Sequence, residues 1–481
     1  MEALGSNNQK QDKVVEEDMV GFVNIFNDVT KQLKENDSCV DIISIIGMGG
    51  LGKTPLAKKI YNNNEVKKLF SCCLWVTVSK DYKAKELLQS LLKGCGLSKS
   101  IKGEDISEDD QRSKVRKFLE SEKYLIVLDD IWEPEVWDEV ECLFPDNNNG
   151  SAILITSRND GVANYTGSKS YYPPLLDKDE SWKLFCKKVF KERECPSVLE
   201  HMGRLMVEKC GGLPLAIVTL AGVVAKKRRL TAEWMRIMRN VLWYIDKDDG
   251  RVSNVLKLSY DSLPQRLKSC FLLLGVFPEN YKINVKRLKQ LWIAEGLIQP
   301  QTDGPELEDI AEDNLNELVD RSLVMVAKRR SDGGVKSCRI HDLLLDLCIS
   351  DSRAEKGIQF CREKDIRSLG NVKSCRLSLR DNDFDSFNQC DHSRIHSLMC
   401  FWDGYYLNRW INVMSFNSAR ILDFGKPTFG LSSPAAQNLG TFIHLRYLRL
   451  NAFLETYPDL ICGLANLETL IVEKFEDGNV F

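Results

Sequence analysis

The pattern of apolar and polar positions predicts that the chain begins with a sheet-containing domain. Four apolar runs, at residues 42–46, 72–78, 124–128 and 152–155, are separated by stretches with helical periodicity. Short runs that are apolar at almost every position are typical of strands buried on both faces, as in a parallel sheet covered by helices. Such sheets bind ligands at the carboxyl ends of their strands, and we expect a functional site there.

A helical region follows, because the strand pattern ends at Pro173 and Pro174. Helical periodicity marks residues 179–190, 199–210 and 213–224. The last of these is apolar on most faces, so we expect a buried helix.

A third pattern begins after residue 250. Apolar residues at 323–327 and 335–340 flank the turn sequence SDGG and predict two short strands. The stretch from residue 255 to about 347 holds short helices and then this pair. The combination predicts a small winged-helix domain.

The C-terminal part has the L-x-x-L-x-L spacing of leucine-rich repeats. It occurs at Leu445, Leu448 and Leu450 and again at Leu467, Leu470 and Val472, an interval that is typical of such repeats. Looser copies at residues 395–400 and 419–424 extend the pattern toward the N-terminus at slightly longer intervals. The chain ends at Phe481 without a polar capping segment, which predicts a truncated array.

A glycine-rich loop follows the first apolar run. Residues 47–54 read GMGGLGKT, the G-x-x-x-x-G-K-[ST] pattern of a phosphate-binding loop. Its glycines allow positive φ values, which turn backbone N–H groups toward phosphate oxygens. Lys53 would supply charge to the β- and γ-phosphates, and Thr54 would offer its hydroxyl to Mg²⁺. The predicted nucleotide-binding residues here are Gly47, Gly49, Gly50, Leu51, Gly52, Lys53 and Thr54. The alternative is a glycine-rich turn that binds nothing.

The third apolar run ends in two acids, Asp129 and Asp130. We expect Asp129 to hold Mg²⁺ and Asp130 to orient a water against the γ-phosphate as the catalytic residue. The alternative is that the two acids only open a loop or cap a helix. Arg158 lies at the end of the fourth predicted strand, where a guanidinium would sense a γ-phosphate, although an arginine after a strand is most often solvated.

Composition narrows the class of protein. A length of 481 residues predicts about three or four domains. The net charge of -3 gives no basic excess, so we expect no direct contact with nucleic acid. Sixteen cysteines without a signal segment predict reduced thiols and a cytoplasmic location. The longest apolar stretch, 213–225, is too short to cross a membrane.

Eight ordered motifs resemble the nucleotide-binding core of plant disease-resistance proteins with leucine-rich repeats, of the coiled-coil type. They are GMGGLGKT, CCLWVTVSKDY, YLIVLDDIWE, GSAILITSR, KCGGLPLAIV, CFLLLGVFPENYKI, LWIAEGLI and RIHDLLLDL. The resemblance covers nearly the whole chain. It implies a polar N-terminal segment at 1–19, a P-loop nucleotide-binding domain at 20–174, a helical domain at 175–250, a winged-helix domain at 251–350, a linker at 351–370 and partial repeats at 371–481.

In function, the resemblance implies an ADP/ATP switch of plant innate immunity with Mg²⁺. The protein would hold ADP when resting and exchange it for ATP after pathogen perception, which would permit homo-oligomerisation. Any ATP hydrolysis would be slow and serve the switch. The repeats would bind a pathogen effector or a guarded host protein.

The resemblance also adds ligand residues. Val20 and Gly21 match the Val-Gly pair whose backbone contacts adenine in that family, and Arg158 matches its fourth-strand arginine. Pro214 matches a proline beside the base and ribose, but the residues alone favour the start of a buried helix. His341, in the Ile-His-Asp variant of Met-His-Asp, matches a ligand of the ADP β-phosphate. By sequence alone a helix-start residue is the commoner interpretation.

Pro55 departs from the usual loop sequence. In P-loop proteins the residue after the Lys-Thr pair commonly donates its N–H to the α-phosphate, and proline has none. Proline is tolerated in a first helical turn, so we expect the fold to persist and nucleotide binding to weaken.

Two rival functions stay open. One is an ordinary P-loop enzyme with rapid turnover, although the chain has no [NT]-K-x-D guanine motif. The other is a truncated or decayed relative that binds a partner or regulates others with weakened nucleotide binding. Pro55, the uncapped repeats and the short segment 1–19, where relatives carry a signalling module, favour this second rival. We therefore expect that this chain does not start a cell-death signal alone.

Two further clusters have ordinary explanations. Cys390, His392, His396 and Cys400 have metal-like spacing, but part of this stretch fits an inward-facing repeat strand. The basic run 226–229 could be a nuclear signal, but a solvated end of a helix is the commoner interpretation.

Overall fold

The computed structural model describes residues 19–78, 84–97, 107–191, 193–245, 251–300, 304–354, 376–379, 395–401, 418–429, 442–452 and 463–473. The chain forms two compact units, of which the first ends at Ser259 and the second spans Tyr260–Asp477. Most of the predicted segments 1–19 and 351–370 lies outside the described residues.

A five-stranded parallel sheet forms the centre of the first unit. The strands are β1 (Asp41–Ile46), β2 (Cys72–Thr77), β3 (Tyr124–Ile131), β4 (Ala152–Ser157) and β5 (Lys169–Tyr171), in the order β2-β3-β4-β1-β5. The register aligns Ile43 with Leu154 and Val127 with Leu154. The apolar runs predicted the first four strands but not the short, half-exposed β5.

Helices connect these strands. They are α1 (Val23–Glu35), α2 (Lys53–Asn62), α3 (Asn64–Lys67), α4 (Ala84–Gly94), α5 (Glu108–Glu120), α6 (Glu135–Glu141) and α7 (Asp160–Thr166). Successive strand residues enter two different cores, since Val127 and Leu154 belong to one cluster and Ile126 and Ile153 to the other. Both faces of the sheet are therefore buried, which explains the continuous apolar runs.

The helical part of the first unit contains α8 (Lys178–Phe190), α9 (Ser197–Glu208), α10 (Pro214–Ala225), α11 (Thr231–Ile245) and α12 (Arg251–Asp261), whose last residues enter the second unit. A capping box starts α8, because Asp177 and Glu180 exchange hydrogen bonds between side chain and backbone. Helix α10 is largely buried and shares a core with the sheet, as its apolar sequence predicts.

The second unit begins with a winged-helix fold. It contains α13 (Gln265–Leu273), a 3-10 turn (Leu274–Val276), β6 (Ile283–Asn284), α14 (Val285–Ala294), α15 (Leu307–Asp320), β7 (Met325–Arg329), β8 (Val335–Arg339) and α16 (Asp342–Ala354). The predicted strand pair is present as β7 and β8 within an antiparallel sheet of order β6-β8-β7. The turn between them uses Gly333 at a φ of 89°.

A second parallel sheet contains the repeat strands, β9 (Arg376–Leu379), β10 (Ser397–Cys400), β11 (Ile421–Phe429), β12 (Tyr447–Ala452) and β13 (Thr469–Glu473). Leu398 pairs with Leu422, Leu422 with Leu448 and Leu448 with Leu470. These pairs join equivalent positions of successive predicted repeats. Strand β9 was not predicted.

A buried ion pair joins the two parts of the second unit. The Nε of Arg287, on α14, donates to Oδ2 of Asp423, on β11, at 2.8 Å, and Nη2 lies 2.7 Å from the same oxygen. The Arg287 guanidinium lies near the rings of Phe277 and Phe401. The winged helix and the repeat strands therefore share a buried polar contact.

The described residues contain neither a membrane-spanning helix nor a disulfide. None of the helices described is both long and apolar enough to span a bilayer. The cysteines within the described ranges are all free thiols.

Candidate nucleotide-binding site

The glycine loop lies between the carboxyl end of β1 and the start of α2. Gly50 has a φ of 78° and Gly52 a φ of 100°, both in the left-handed region that favours glycine. A Cβ on Gly50 would lie 2.9 Å from the Cβ of Leu215, so a side chain there would clash as well as strain the backbone. Gly47 also has a positive φ, but Gly49 does not. The loop thus requires positive φ at three of its four glycines.

Lys53 is the first residue of α2 and is buried, with 6% of its surface exposed. Its Nζ donates to the carbonyl oxygens of Gly47 at 2.6 Å and Met48 at 2.9 Å, both within the loop. Burial and, next in size, the charge of Arg158 lower the pKa of Lys53 to about 8, against the opposing effect of Asp130 and Asp129. An anion beside this ammonium would offset the cost of burying it.

Asp129 connects the loop helix with the central strands. Its Oδ1 accepts hydrogen bonds from Thr54 Oγ1 at 2.8 Å and from Thr156 Oγ1 at 2.7 Å. Burial raises the pKa of Asp129, and the two hydroxyl bonds oppose that shift. A hydroxyl and a carboxylate are hard oxygen ligands, which suit Mg²⁺ when phosphates and water complete its shell. The residues present therefore fit the predicted metal.

Asp130 and Arg158 lie beside this pair. Arg158 Nε is 3.6 Å from Asp130 Oδ1, and the Arg158 guanidinium stacks on the Trp132 ring, 4.5 Å from its centroid. Asp130 has a φ of 65°, which is uncommon for a residue other than glycine. The predicted γ-phosphate sensor is thus held between an acid and an aromatic ring. No sequence pattern pointed to Trp132, although it follows Asp130 by two positions.

Helix α10 contacts the loop through its first turn. Pro214 is the first residue of α10, which confirms the helix-start interpretation, although the residue is half-buried rather than buried. The next residue, Leu215, donates its backbone N–H to the Gly50 carbonyl at 3.2 Å. This bond satisfies a donor that the helix itself cannot satisfy. It brings the region of Pro214 to the phosphate loop.

Comparison with known proteins decides the family. The NB-ARC domain model matches residues 23–195, and the model of the disease resistance protein winged helix domain matches residues 276–348. The chain is 34% identical over 480 residues to a putative late blight resistance protein homolog of Solanum demissum, covering 96% of this chain and 36% of that protein. The chain belongs to the NB-ARC family of plant disease-resistance proteins.

A second relative and one solved structure are also similar to this NB-ARC chain. The putative disease resistance RPP13-like protein 3 of Arabidopsis thaliana is 36% identical over 461 residues, which cover 92% of this chain and 53% of that protein. The chain therefore spans about a third to a half of these two relatives. A signal transduction ATPase with a tetratricopeptide repeat sensor from Pyrococcus horikoshii is 17% identical, with a TM-score of 0.46, over 70% of this chain and 43% of that chain.

In this NB-ARC protein Val20 and Gly21 directly precede Phe22, the residue that packs on the phosphate loop. Gly21 has a φ of 82°, and a Cβ there would lie 2.5 Å from Leu176 Cδ2, so the position favours glycine. The next residue, Phe22, is buried with its ring close to Gly52. The segment is thus packed against the loop, and its predicted contact with adenine stays a prediction.

His341 lies in the second unit of the NB-ARC chain, directly before α16. Its Nδ1 accepts a hydrogen bond from the Leu343 N–H at 3.2 Å, and its carbonyl accepts from Leu344 and Leu345 at 2.9 Å each. These are the bonds of a helix-capping residue, so the helix-start interpretation is confirmed. The predicted contact with the ADP β-phosphate stays a prediction.

Pro55 is accommodated in the first turn of α2. It follows Lys53 and Thr54, and the next N–H, of Leu56, bonds the Gly52 carbonyl at 3.0 Å. The expectation that the fold tolerates this proline is confirmed. Its expected effect on nucleotide affinity stays a prediction.

Of the two remaining clusters, the described residues include the whole basic run but only part of the cysteine–histidine cluster. Cys390 and His392 lie outside the described residues, and Cys400 is buried on β10. Within the described ranges, no group of three or more His, Cys, Asp or Glu could hold a metal ion. In the basic run, the Arg229 guanidinium lies 5.1 Å from the Phe190 ring centroid, so one of the four basic side chains packs on an aromatic ring.

Proposed function

We propose that this chain is an ADP/ATP-binding switch of plant innate immunity, ADP-bound when resting and ATP-bound when active, and that it works in the cytoplasm. The observation that carries the proposal is the buried Lys53 ammonium, whose hydrogen bonds go to the loop carbonyls of Gly47 and Met48. A buried ammonium whose hydrogen bonds go to neutral carbonyls is suited to an anionic ligand. The glycine loop around it is the kind that presents N–H donors to phosphates.

The proposed phosphate and metal roles follow from the neighbouring contacts. Lys53 binds the β- and γ-phosphates, and the loop residues Gly47, Gly49, Gly50, Leu51 and Gly52 donate through their backbone. Thr54 and Asp129, which are already hydrogen-bonded, hold Mg²⁺. The bound metal would neutralise phosphate charge. Asp130 orients a water, and Arg158 senses the γ-phosphate.

The remaining contacts are assigned to the base and to the resting state. Val20, Gly21 and Pro214 lie on segments that approach the glycine loop, which supports a role at adenine and ribose. His341 is proposed to contact the β-phosphate of ADP, as the resemblance to the family implies. Its backbone and Nδ1 bonds at the start of α16 would fix the direction of the imidazole.

Partner binding is assigned to the repeats. The relatives are named for late blight and other disease resistance. We propose that the repeats at 371–481 bind a pathogen effector or a guarded host protein, and that the active form oligomerises. The nucleotide-binding, helical and winged-helix domains are proposed at 20–174, 175–250 and 251–350.

The first test identifies the bound nucleotide. The purified full chain is denatured, and the released nucleotide is separated by ion-exchange chromatography and quantified against protein. We expect ADP at close to one per chain. A site that is empty after purification and that takes up neither ADP nor ATP on incubation would overturn the proposal.

A second measurement separates a switch from an enzyme. Single-turnover and steady-state ATP hydrolysis are compared in the same preparation. We expect a single turnover followed by retained ADP. Sustained turnover above about 1 per second, within the ordinary range of enzymes, would contradict the switch.

A further inference from the structure

Strand β4 lies between β1, which leads into the glycine loop, and β3, which carries Asp129 and Asp130. It ends in two adjacent hydroxyl residues, Thr156 and Ser157, both fully buried. A fully buried hydroxyl has to find its hydrogen bonds within the protein. The partners of these two hydroxyls all lie at the end of β3 or just beyond β4.

Thr156 bonds two consecutive residues of β3 through one oxygen. Its Oγ1 donates to Asp129 Oδ1 at 2.7 Å and accepts from the Asp130 backbone N–H at 2.8 Å. A hydroxyl carries one proton and two lone pairs, so both bonds form at once without competition. Ser157 instead donates to the Ile131 carbonyl at 2.7 Å, so this bond does not hold the carboxylate of Asp129 or Asp130.

The backbone explains why a side chain is needed there. Leu128 pairs with Ile155 and Ile131 pairs with Ser157, so two residues of β3, Asp129 and Asp130, lie opposite Thr156 alone. This is a β-bulge, a device that redirects side chains next to functional sites. The left-handed φ of Asp130 belongs to the bulge, and the Thr156 hydroxyl supplies a hydrogen bond where the regular ladder is interrupted.

We infer that Thr156 is a positioning residue that sets the Mg²⁺ dependence of ATP binding. It holds the carboxylate of Asp129 from β4, while Thr54 bonds the same oxygen from α2. Without Thr156 the carboxylate loses one of its two hydroxyl donors and can rotate away from the metal position. The inference rests on the proposed function, since it requires that the site bind ATP with Mg²⁺.

The experiment compares three variants with the unchanged full chain. Thr156→Val removes the hydroxyl at nearly constant shape, Thr156→Ser keeps it, and Ser157→Ala is the matched control on the adjacent position. Affinity for ATP is measured by calorimetry over a series of free Mg²⁺ concentrations and again in EDTA. Loss of an outer-shell partner typically costs about ten- to hundredfold in metal affinity.

We expect Thr156→Val to need about ten- to hundredfold more Mg²⁺ for half-maximal enhancement of ATP binding. Its affinity in EDTA should stay close to that of the unchanged chain, because the loop and Lys53 are intact. Thr156→Ser should restore the original Mg²⁺ dependence, and Ser157→Ala should keep it. Thermal unfolding without nucleotide checks each fold, and Thr156→Ala replaces the valine variant if that does not fold.

The outcomes separate the inference from the proposed function. If the unchanged chain binds ATP in a Mg²⁺-dependent way and Thr156→Val has the same Mg²⁺ midpoint, the inference is wrong and the switch proposal stands. The same shift of the Mg²⁺ midpoint in Ser157→Ala would also overturn the inference, because any disturbance at the end of β4 would then have this effect. Failure of the unchanged chain to bind nucleotide would overturn both.

Discussion

Lys53 and Asp129 in the first unit and Arg287 and Asp423 in the second are all buried charged side chains, but their partners differ in kind. Lys53 donates to backbone carbonyls, and Asp129 accepts from threonine hydroxyls. Arg287 and Asp423 instead bond each other, with Nε and Oδ2 2.8 Å apart. In the first arrangement the hydrogen bonds of both charged groups go to neutral partners, and Asp129 and Asp130 act on Lys53 through their charge without a hydrogen bond. In the second arrangement the opposite charges bond each other directly.

This difference separates a ligand site from a structural contact. Burying a charge is costly, and only an opposite charge recovers most of that cost. In the second unit the recovery takes place within the protein, so the pair stabilises the fold only as long as both members are present. In the first unit the recovery would come from phosphate and Mg²⁺. Substitutions should therefore affect folding in one region and binding in the other.

The largest effect is expected from breaking the Arg287–Asp423 pair. Arg287→Ala leaves a fully buried carboxylate with one strong donor fewer, and we expect a loss of about 3–5 kcal/mol in the free energy of unfolding of the second unit. Denaturant-induced unfolding measures it. Arg330→Ala is the control, because Arg330 pairs with Glu312 at the surface, where water screens the pair and its loss should matter far less. Equal losses in the two variants would contradict the comparison.

Lys53→Met tests the opposite behaviour. Loss of the charged donor should weaken ADP binding by about ten- to hundredfold, in line with about 1.5–3 kcal/mol for a hydrogen bond to a charged group. Thermal stability without nucleotide should stay the same or rise, because a costly buried charge is removed. Lys59→Met, on the same helix and facing Phe26, should leave ADP affinity unchanged. A destabilised, nucleotide-free Lys53→Met protein would show that this lysine is mainly structural.

Pro55→Thr should strengthen binding. The substitution restores an N–H in the first turn of α2, and a recovered bond to the α-phosphate is expected to increase ADP affinity by about ten- to hundredfold at most. Calorimetry measures the gain, with Pro55→Ala as the control that restores the N–H without a hydroxyl. No gain in either variant would mean that this donor does not matter here.

The smallest effect is expected at His341, where capping and ligand binding can be told apart. His341→Ala removes the acceptor for the Leu343 N–H and should cost about 1 kcal/mol of stability. His341→Asn keeps a capping acceptor but removes the imidazole. If the imidazole also contacts ADP, the asparagine variant should keep its stability and lose bound nucleotide during purification. Full nucleotide content in that variant would leave His341 a capping residue only.

Much of the fold was predictable because the order of apolar residues shows which positions are buried. The strands of the first sheet that are buried on both faces appeared as continuous runs, and the repeat strands appeared through their leucine spacing. Strands β5 and β9 were missed because such short segments are too brief to show a period. The parallel order with β4 between β1 and β3 could not be derived from these runs alone.

The candidate site was predictable only where its chemistry is local in sequence. Lys53, Thr54 and Asp129 stand in contiguous motifs, and the structure brings Thr54 and Asp129 into contact. Thr156 and Leu215 contact the site only because residues distant in the chain come together there. Thr156 does so at a β-bulge and Leu215 at a helix start, and no short sequence motif predicts either contact. Whether His341 meets nucleotide is a question of long-range geometry, which local sequence does not determine.

The hydrogen bond from Leu215 to the Gly50 carbonyl has a thermodynamic consequence. In a trans peptide the carbonyl and the following N–H point in opposite directions, so fixing the Gly50 oxygen also directs the Leu51 N–H away from α10. In the proposed complex, a phosphate that accepts from Leu51 favours the same orientation of that peptide plane. Nucleotide binding and the docking of α10 are then reciprocally linked, and each strengthens the other by the same free energy.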